Sequence, residues 1–168
     1  MQTAKWYSCA ETAKLLRKTL KAKFPNVKFS VRSHVYAGGA SITAYWTDGP
    51  KTEDVKKTCD LYAGARFDGM QDMMIYRTGI MSNEDGSFEE VRYGSDFVSA
   101  SRTMSPQVQA QLIEEFEKVT SEKYNEMDTY KFAVVGNYSE YRGHIAIDDK
   151  ARNWGATIID LMFQQREY

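Results

Sequence analysis

Three aspartates near the middle of the chain have the type and spacing that best suit catalysis. If Asp48, Asp68 and Asp72 met in space, their carboxylate oxygens would hold Mg²⁺, as a nuclease or a phosphotransferase requires. Asp48 and Asp68 each precede a glycine, however, which is typical of a turn. A Mg²⁺-dependent, nuclease-like enzyme is therefore the third of three functional hypotheses.

The histidines and cysteines give weaker signals. His34 and His144 lie far apart and belong to no His-x-x-Glu-His, His-Glu-x-x-His or Cys-x-x-Cys motif. Cys9 and Cys59 are too few for a disulfide framework, so we expect reduced thiols that pack as small hydrophobic groups. The sequence also lacks the nucleophile-elbow and phosphate-loop motifs. We expect no catalytic residue, no metal site and no cofactor.

The distribution of charge is more informative than the net charge of −1. Residues 1–66 carry 12 basic and 5 acidic side chains, and residues 67–149 carry 7 basic and 16 acidic ones. The balance excludes only a uniformly basic or uniformly acidic protein. The two signs indicate a basic N-terminal part and an acidic C-terminal part, with a soft boundary near residues 64–72 of a single domain that spans residues 1–168.

Composition predicts a folded and soluble protein. The 168 residues suit one domain, and the many Tyr, Met and Trp residues predict an interior rich in Met and Tyr. No run of eighteen apolar residues and no signal peptide is present in the sequence. We therefore expect a cytoplasmic protein that does not bind membranes.

Local patterns predict the elements of the first half. Ser8 and Glu11 have the spacing of a capping box, and the helix that follows runs to about Lys23. Alternating residues at 27–33 and 41–46 predict a hairpin that turns at Gly38-Gly39. A second helix follows the break at residues 47–50 and ends at Gly64.

The second half is predicted to contain more strands than helices. Strands are expected at residues 73–81, 88–93, 97–104, 130–135 and 143–147. Ser105-Pro106 opens a helix, and Asp148 or Asp149 caps the last one. Because strands follow strands, we expect an α+β fold with a mainly antiparallel sheet, about four helices and a helix–hairpin–helix arrangement at the N-terminus.

A series of short motifs in the first half resembles one known family. The motifs are, in order, Glu11-Thr12-Ala13-Lys14, Phe24-Pro25, Lys28-Phe29-Ser30-Val31-Arg32-Ser33, Gly38-Gly39, Ser41-Ile42, Trp46-Thr47-Asp48-Gly49-Pro50, Val55 and Phe67-Asp68-Gly69-Met70-Gln71-Asp72. Over residues 7–72 the chain is similar to the twenty-ninth family of large polyvalent-protein-associated domains. The resemblance implies an accessory protein of a phage, plasmid or other mobile element, which acts on nucleic acid or on host defence.

The leading hypothesis is a non-enzymatic counter-defence inhibitor, of the anti-CRISPR or anti-restriction kind. It would bind a host or phage protein complex through acidic side chains that occupy a surface meant for DNA phosphates. Those on the helix that begins at Ser105-Pro106 are Glu114, Glu115, Glu117 and Glu122. An ordinary solvated surface would carry the same residues.

The second hypothesis is a nucleic-acid-binding accessory module. Its phosphate-binding side chains would be Lys14, Arg17, Lys18, Lys21, Lys28 and Arg32. Tyr36 and Tyr45 would add base stacking if they are exposed. A lysine-rich solvated face is the alternative here too. Opposite charges on the two parts would also permit two copies to associate as a homodimer.

Overall fold

A computed structural model describes residues 4–82, 85–121, 123–124 and 158–168. The elements, in chain order, are β1 (Lys5–Tyr7), α1 (Cys9–Lys23), β2 (Ser30–Tyr36), β3 (Gly39–Thr47), α2 (Thr52–Cys59), a 3₁₀ turn (Asp60–Tyr62), β4 (Ala65–Asp68), β5 (Met73–Tyr76), β6 (Gly79–Ser82), β7 (Phe88–Tyr93), β8 (Phe97–Thr103), α3 (Pro106–Thr120) and α4 (Ile158–Gln164). Four α-helices and small, mostly antiparallel sheets among these residues make the fold α+β, as predicted. The strands predicted at 130–135 and 143–147, and the helix start predicted at Asp148 or Asp149, lie outside the described residues.

The described residues divide into two compact units. The first contains the chain up to Trp46 together with Thr52–Arg102, and the second contains Thr47–Lys51 together with the described residues from Thr103 onward. Residues 64–72, where the sequence analysis places a soft boundary, belong to the first unit. Whether the whole chain acts as a single domain stays a prediction.

Helix α1 begins and ends where the sequence predicts. The Ser8 N–H donates to Glu11 Oε2 at 2.8 Å, and the Glu11 N–H donates to Ser8 Oγ at 3.3 Å. This reciprocal pair satisfies two backbone donors that have no partner inside the helix. The helix ends at Lys23, two residues before Pro25, whose ring cannot continue a helix. The predicted capping box is therefore confirmed.

Strands β2 and β3 pair antiparallel, and one face of the pair packs on α1. The register sets Val31 opposite Ala44, and Ser33 opposite Ile42. One core cluster contains residues of both elements, chiefly Ala13, Leu16, Leu20, Val31, Ile42, Ala44 and Trp46. The strand order is β2-β3-β8, so β2 lies at an edge of its sheet. The other face of the pair points away from α1 because successive side chains alternate across a strand.

Two smaller sheets complete the first unit. Strand β7 lies between β1 and β6, parallel to β1 and antiparallel to β6, and β4 pairs antiparallel with β5. The prediction of a single strand at residues 73–81 is wrong, because residues 77–78 interrupt it and separate β5 from β6. Strand β5 pairs with β4, whereas β6 pairs with β7, so one continuous strand could not pair with both. No local pattern in the sequence predicts β1.

The expected interior rich in Met and Tyr is not found among the described residues. Met162 is the one buried methionine there, and no tyrosine in the described ranges is buried. Met70 and Tyr76 are 98% and 74% exposed. Aliphatic side chains, together with Trp46, Phe116 and Phe163, make up most of the core among the described residues instead. Much of the Tyr and Met content is therefore surface, where exposed apolar area is available for binding.

The second unit is built around α3 and α4. Ser105 caps α3 by accepting the Val108 N–H at 3.3 Å, and Pro106 stands at the first position, as predicted. A separate core cluster joins the two helices and contains Val108, Leu112, Phe116, Ile158, Ile159, Met162 and Phe163. This cluster holds the helix that carries the predicted acidic residues.

Candidate functional site

The six basic residues singled out from the sequence are all exposed. We call them the basic surface: Lys14, Arg17, Lys18 and Lys21 on α1, Lys28 on the segment that follows it, and Arg32 on β2. Because α1 buries its apolar side, helical spacing directs its basic side chains to solvent. Among the described residues none of the six forms an ion pair. Their charges are therefore available to an anionic ligand.

Arg17 joins the helix to the edge strand. Its Nη2 donates to the backbone oxygen of Val31 at 2.8 Å. Val31 immediately precedes Arg32, so this contact brings the basic side of α1 next to the strand that carries Arg32. The guanidinium also occupies a backbone acceptor on an edge strand, a position that would otherwise be open to another chain. Arg17 thus has a structural role in addition to its charge.

The face of the β2–β3 pair that points away from α1 carries aromatic rings beside positive charge. The Arg32 guanidinium lies over the Tyr45 ring, 5.8 Å from its centroid. The rings of His34 and Tyr36 stack with centroids 5.8 Å apart and an interplanar angle of 27°. Tyr36 and Tyr45 are 42% and 41% exposed, which meets the condition set for them as stacking residues.

The part of His34 in this face was missed by reasoning from the sequence. Sequence motifs give no support to His34 as a metal ligand and do not assign it a stacking partner. The signal that would have found its stacking partner is the i, i+2 spacing of His34 and Tyr36 in the predicted hairpin, since residues two apart on a strand share a face. The pairing of Arg32 with Tyr45 depends on the register of two strands, which the turn position sets.

The predicted acidic residues are less available than the basic ones. Glu115 receives two hydrogen bonds from Arg166, at 2.6 and 2.7 Å, and this contact lowers the pKa of the Glu115 carboxyl. Glu117 Oε1 accepts the Tyr124 N–H at 3.0 Å. Glu114 is exposed, and Glu122 lies outside the described residues. Two of the three described carboxylates are therefore already engaged within the second unit.

The three aspartates serve turns. Asp48 accepts the Ser105 N–H at 2.9 Å, and Asp68 accepts the Met70 N–H at 2.9 Å. Asp48 and Asp72 have φ angles of 54° and 50°, in the left-handed region that Asp tolerates better than most residues. In the ranges that the structure describes, no group of three or more His, Cys, Asp or Glu side chains could hold a metal ion. The geometry gives no support to the Mg²⁺ site.

Both thiols are free and buried, as predicted. Burial raises the pKa of the Cys59 thiol to about 11, and burial also raises the pKa of Cys9. A thiolate is the nucleophilic form of cysteine, so these environments disfavour nucleophilic chemistry. The two cysteines act as core residues.

The raised pKa of Cys59 predicts a loss of stability at alkaline pH. The unfolded thiol ionises near pH 9, whereas the folded thiol stays protonated to about pH 11. The stabilising contribution is complete below pH 9 and is lost as pH rises to 11, by about 2 kcal/mol in the free energy of unfolding. Urea titrations at several pH values across this window would measure the loss. In Cys59→Ala the loss should be smaller; an equal loss in both proteins would contradict the assignment.

Comparison with known proteins places the chain in a family. The profile of the family described as Large polyvalent protein associated domain 29 matches residues 7–105, more than half of the chain. The chain belongs to this family. The match to Large polyvalent protein associated domain 29 extends beyond the motifs that end at Asp72, and it includes α1, β2 to β8 and the whole basic surface.

The family is associated with the polyvalent proteins of mobile elements, which gives the chain its context. No curated protein and no solved structure matches this chain in the same comparisons. Among the described residues, no helix has both the length and the apolar composition that crossing a membrane requires. Any finer function must therefore be argued from the surfaces of this chain.

Proposed function

We propose that the chain is a non-enzymatic binding module of a mobile element whose ligand is single-stranded nucleic acid. The observation that carries the proposal is the basic surface: six exposed cations on α1, on β2 and on the segment between them. Cations without acidic partners release counterions when they bind phosphates, and this release drives nucleic-acid binding. Helix α3 has fewer carboxylates available to a partner, because Glu115 and Glu117 are engaged in contacts within the second unit.

The aromatic rings favour a single strand over a duplex. Exposed bases stack on aromatic side chains, and this stacking tolerates any sequence. Tyr45 and Tyr36 each lie beside a second planar group, Arg32 and His34 respectively, on one exposed face. In a duplex the bases are already stacked on each other and cannot reach this face. Arg32 and the rings lie on the face of the β2–β3 pair that points away from α1. A single strand that stacks its bases there would pass around the edge strand β2, beside Arg17, to bring its other phosphates to the lysines of α1.

Reversing charge on α1 should weaken nucleic-acid binding. The test variant is Lys14→Glu with Lys18→Glu, which leaves the Arg17 contact with Val31 in place. Anisotropy titrations with labelled oligonucleotides, single-stranded and duplex, would cover salt concentrations of about 50 to 200 mM. For the wild type, six phosphate contacts predict a slope of about −4 for log K against log salt on a single strand. The variant should bind at least about tenfold more weakly, with a shallower slope.

The matched control is Lys118→Glu with Lys123→Glu, which changes the net charge equally at two exposed lysines outside the basic surface. Its affinity should remain close to that of the wild type. Equal losses in both variants would show only an effect of net charge and would refute the assignment to α1. If the protein bound a duplex as tightly as a single strand, this result would contradict the proposed stacking of bases on Tyr36 and Tyr45.

The counter-defence role is the second proposal. Its support is the mobile-element context together with exposed carboxylates such as Glu114 and Glu90. An inhibitor of this kind would bind a basic host protein by direct contact and would need no affinity for nucleic acid. If the wild type binds no oligonucleotide even at low salt, the first proposal fails and protein contact becomes the favoured function.

A further inference from the structure

The β1-β7-β6 sheet has one face on which every side chain of its strands is exposed. We call it the open face, and its residues are Trp6, Ile80, Ser82, Phe88, Glu90 and Arg92. They share a face because the register sets Trp6 opposite Arg92, Ile80 opposite Glu90, and Ser82 opposite Phe88. On the other face, Val91 is fully buried. Among the described residues, this sheet therefore has one packed face and one exposed face.

The open face is more apolar than a solvated sheet face. Trp6, Ile80 and Phe88 are 65%, 75% and 74% exposed. Covering an aromatic side chain buries about 150–250 Å², so Trp6, Phe88 and the aliphatic Ile80 together present an apolar patch of a few hundred Å². The largest apolar patch on a typical monomer is of this size and is often functional. Ile80 and Phe88 are diagonal neighbours on paired strands, which makes that part of the patch continuous.

Two opposite charges lie at the centre of this face. Glu90 and Arg92 are two residues apart on β7, the middle strand, so they point to the same side. Neither has an ion-pair partner among the described residues. A partner that covers the face must therefore present a positive and a negative group in the reverse order, or it would bury an uncompensated charge.

A second copy of the chain presents that order. A two-fold axis that lies above the open face at Val91, parallel to the sheet and perpendicular to β7, places Arg92 of each copy opposite Glu90 of the other. The same operation brings the apolar side chains of both copies into one interface, as the isologous contact of a two-fold dimer requires. The alternation of charge supplies the complementarity, and the apolar residues supply the driving force.

We propose that the open face is a homodimer interface in which two β1-β7-β6 sheets pack face to face. A three-stranded face is small, so the buried area lies at the low end of specific interfaces and the dimer is concentration-dependent. The proposal is independent of nucleic-acid binding, since it involves none of the residues of the basic surface.

Charge exchange across the interface tests the proposal. Sedimentation velocity from about 1 µM to about 1 mM spans weak to moderately tight dimers. The wild type should pass from monomer mass to twice that mass, and Glu90→Arg or Arg92→Glu alone should remain monomeric because like charges then meet. The double exchange, Glu90→Arg with Arg92→Glu, should dimerise again. An equimolar mixture of the two single variants should form a mixed dimer.

The control is Glu114→Arg, which reverses an exposed carboxylate on α3 and should leave dimerisation unchanged. Far-UV circular dichroism on every variant separates loss of pairing from loss of folding, and Ile80→Lys gives a second, apolar route to a monomer. A wild type that is monomeric at every concentration would overturn the proposal and assign the face to another partner. A folded double exchange that stays monomeric would overturn it as well.

Discussion

Replacing Gly64 by alanine is expected to destabilise the first unit by about 3 kcal/mol. Gly64 is buried at the junction between the 3₁₀ turn and β4, where its N–H donates to Ser95 O at 2.7 Å. Its own carbonyl accepts the Arg77 N–H at 2.8 Å. A Cβ added at Gly64 would collide with the backbone oxygen of Tyr93. Because the obstacle is backbone, relief requires strands to move and hydrogen bonds to break.

The matched control is Gly79→Ala, at the start of β6. A Cβ there would meet only side-chain atoms of Tyr93 and Val91 at 3.4 Å, which is ordinary van der Waals contact. Urea denaturation followed by circular dichroism should place Gly79→Ala near the wild type and Gly64→Ala far below it. If the two substitutions cost the same, the close packing at Gly64 would not be the cause.

The basic surface was predictable from the sequence because it depends on local periodicity. Once Ser8 fixes the start of α1, a period of 3.6 residues determines which lysines face solvent. Strand alternation does the same for Arg32, which is exposed while its neighbour Val31 is buried. Neither inference needs knowledge of a distant part of the chain.

The internal contacts of the acidic residues could not be predicted from local periodicity. Glu115 looks like a solvated residue on the outer side of a helix, but its partner Arg166 lies 51 residues further along the chain. Local pattern carries no information about a contact at that separation. The result reverses the order of the two leading hypotheses, because two of the three described carboxylates of α3 already have partners within the second unit.

Strand β1 and the open face were missed for a related reason. Three residues are too short to show a period, and β1 pairs with β7, more than 80 residues away. Composition does not show which side of the sheet carries Trp6, whereas the parallel pairing places it on the exposed side. A face formed by three strands from distant parts of the chain becomes visible only when the register is known.

The two proposals concern different faces of the same unit, and together they imply more than either alone. A dimer through the open face would carry two basic surfaces. A single strand long enough to span both basic surfaces would then bind more tightly, because binding to the first surface raises the effective concentration of the strand at the second. The monomeric single variants of the open face separate these effects, because they should lower affinity for a long strand more than for a short one, and the double exchange should restore the long-strand affinity.

Truncation of Phe116 should have the largest effect in the second unit. Phe116 is fully buried in the cluster that joins α3 to α4, and its ring meets Tyr124 edge-on with centroids 6.1 Å apart. Phe116→Ala removes this contact area and leaves a cavity, which costs about 3–5 kcal/mol in the free energy of unfolding. The loss should appear as a lower urea midpoint in circular dichroism.

Val119→Ala on the same helix is the control, since Val119 is 37% exposed and loses little buried area. Equal midpoints for the two variants would mean that α3 is not held by this cluster. The comparison also bears on function. The acidic side chains of α3 keep their positions only while α3 packs on α4, whereas the basic surface belongs to the first unit. Phe116→Ala should therefore leave oligonucleotide affinity unchanged under conditions in which the first unit remains folded, as nucleic-acid binding through α1 and β2 requires.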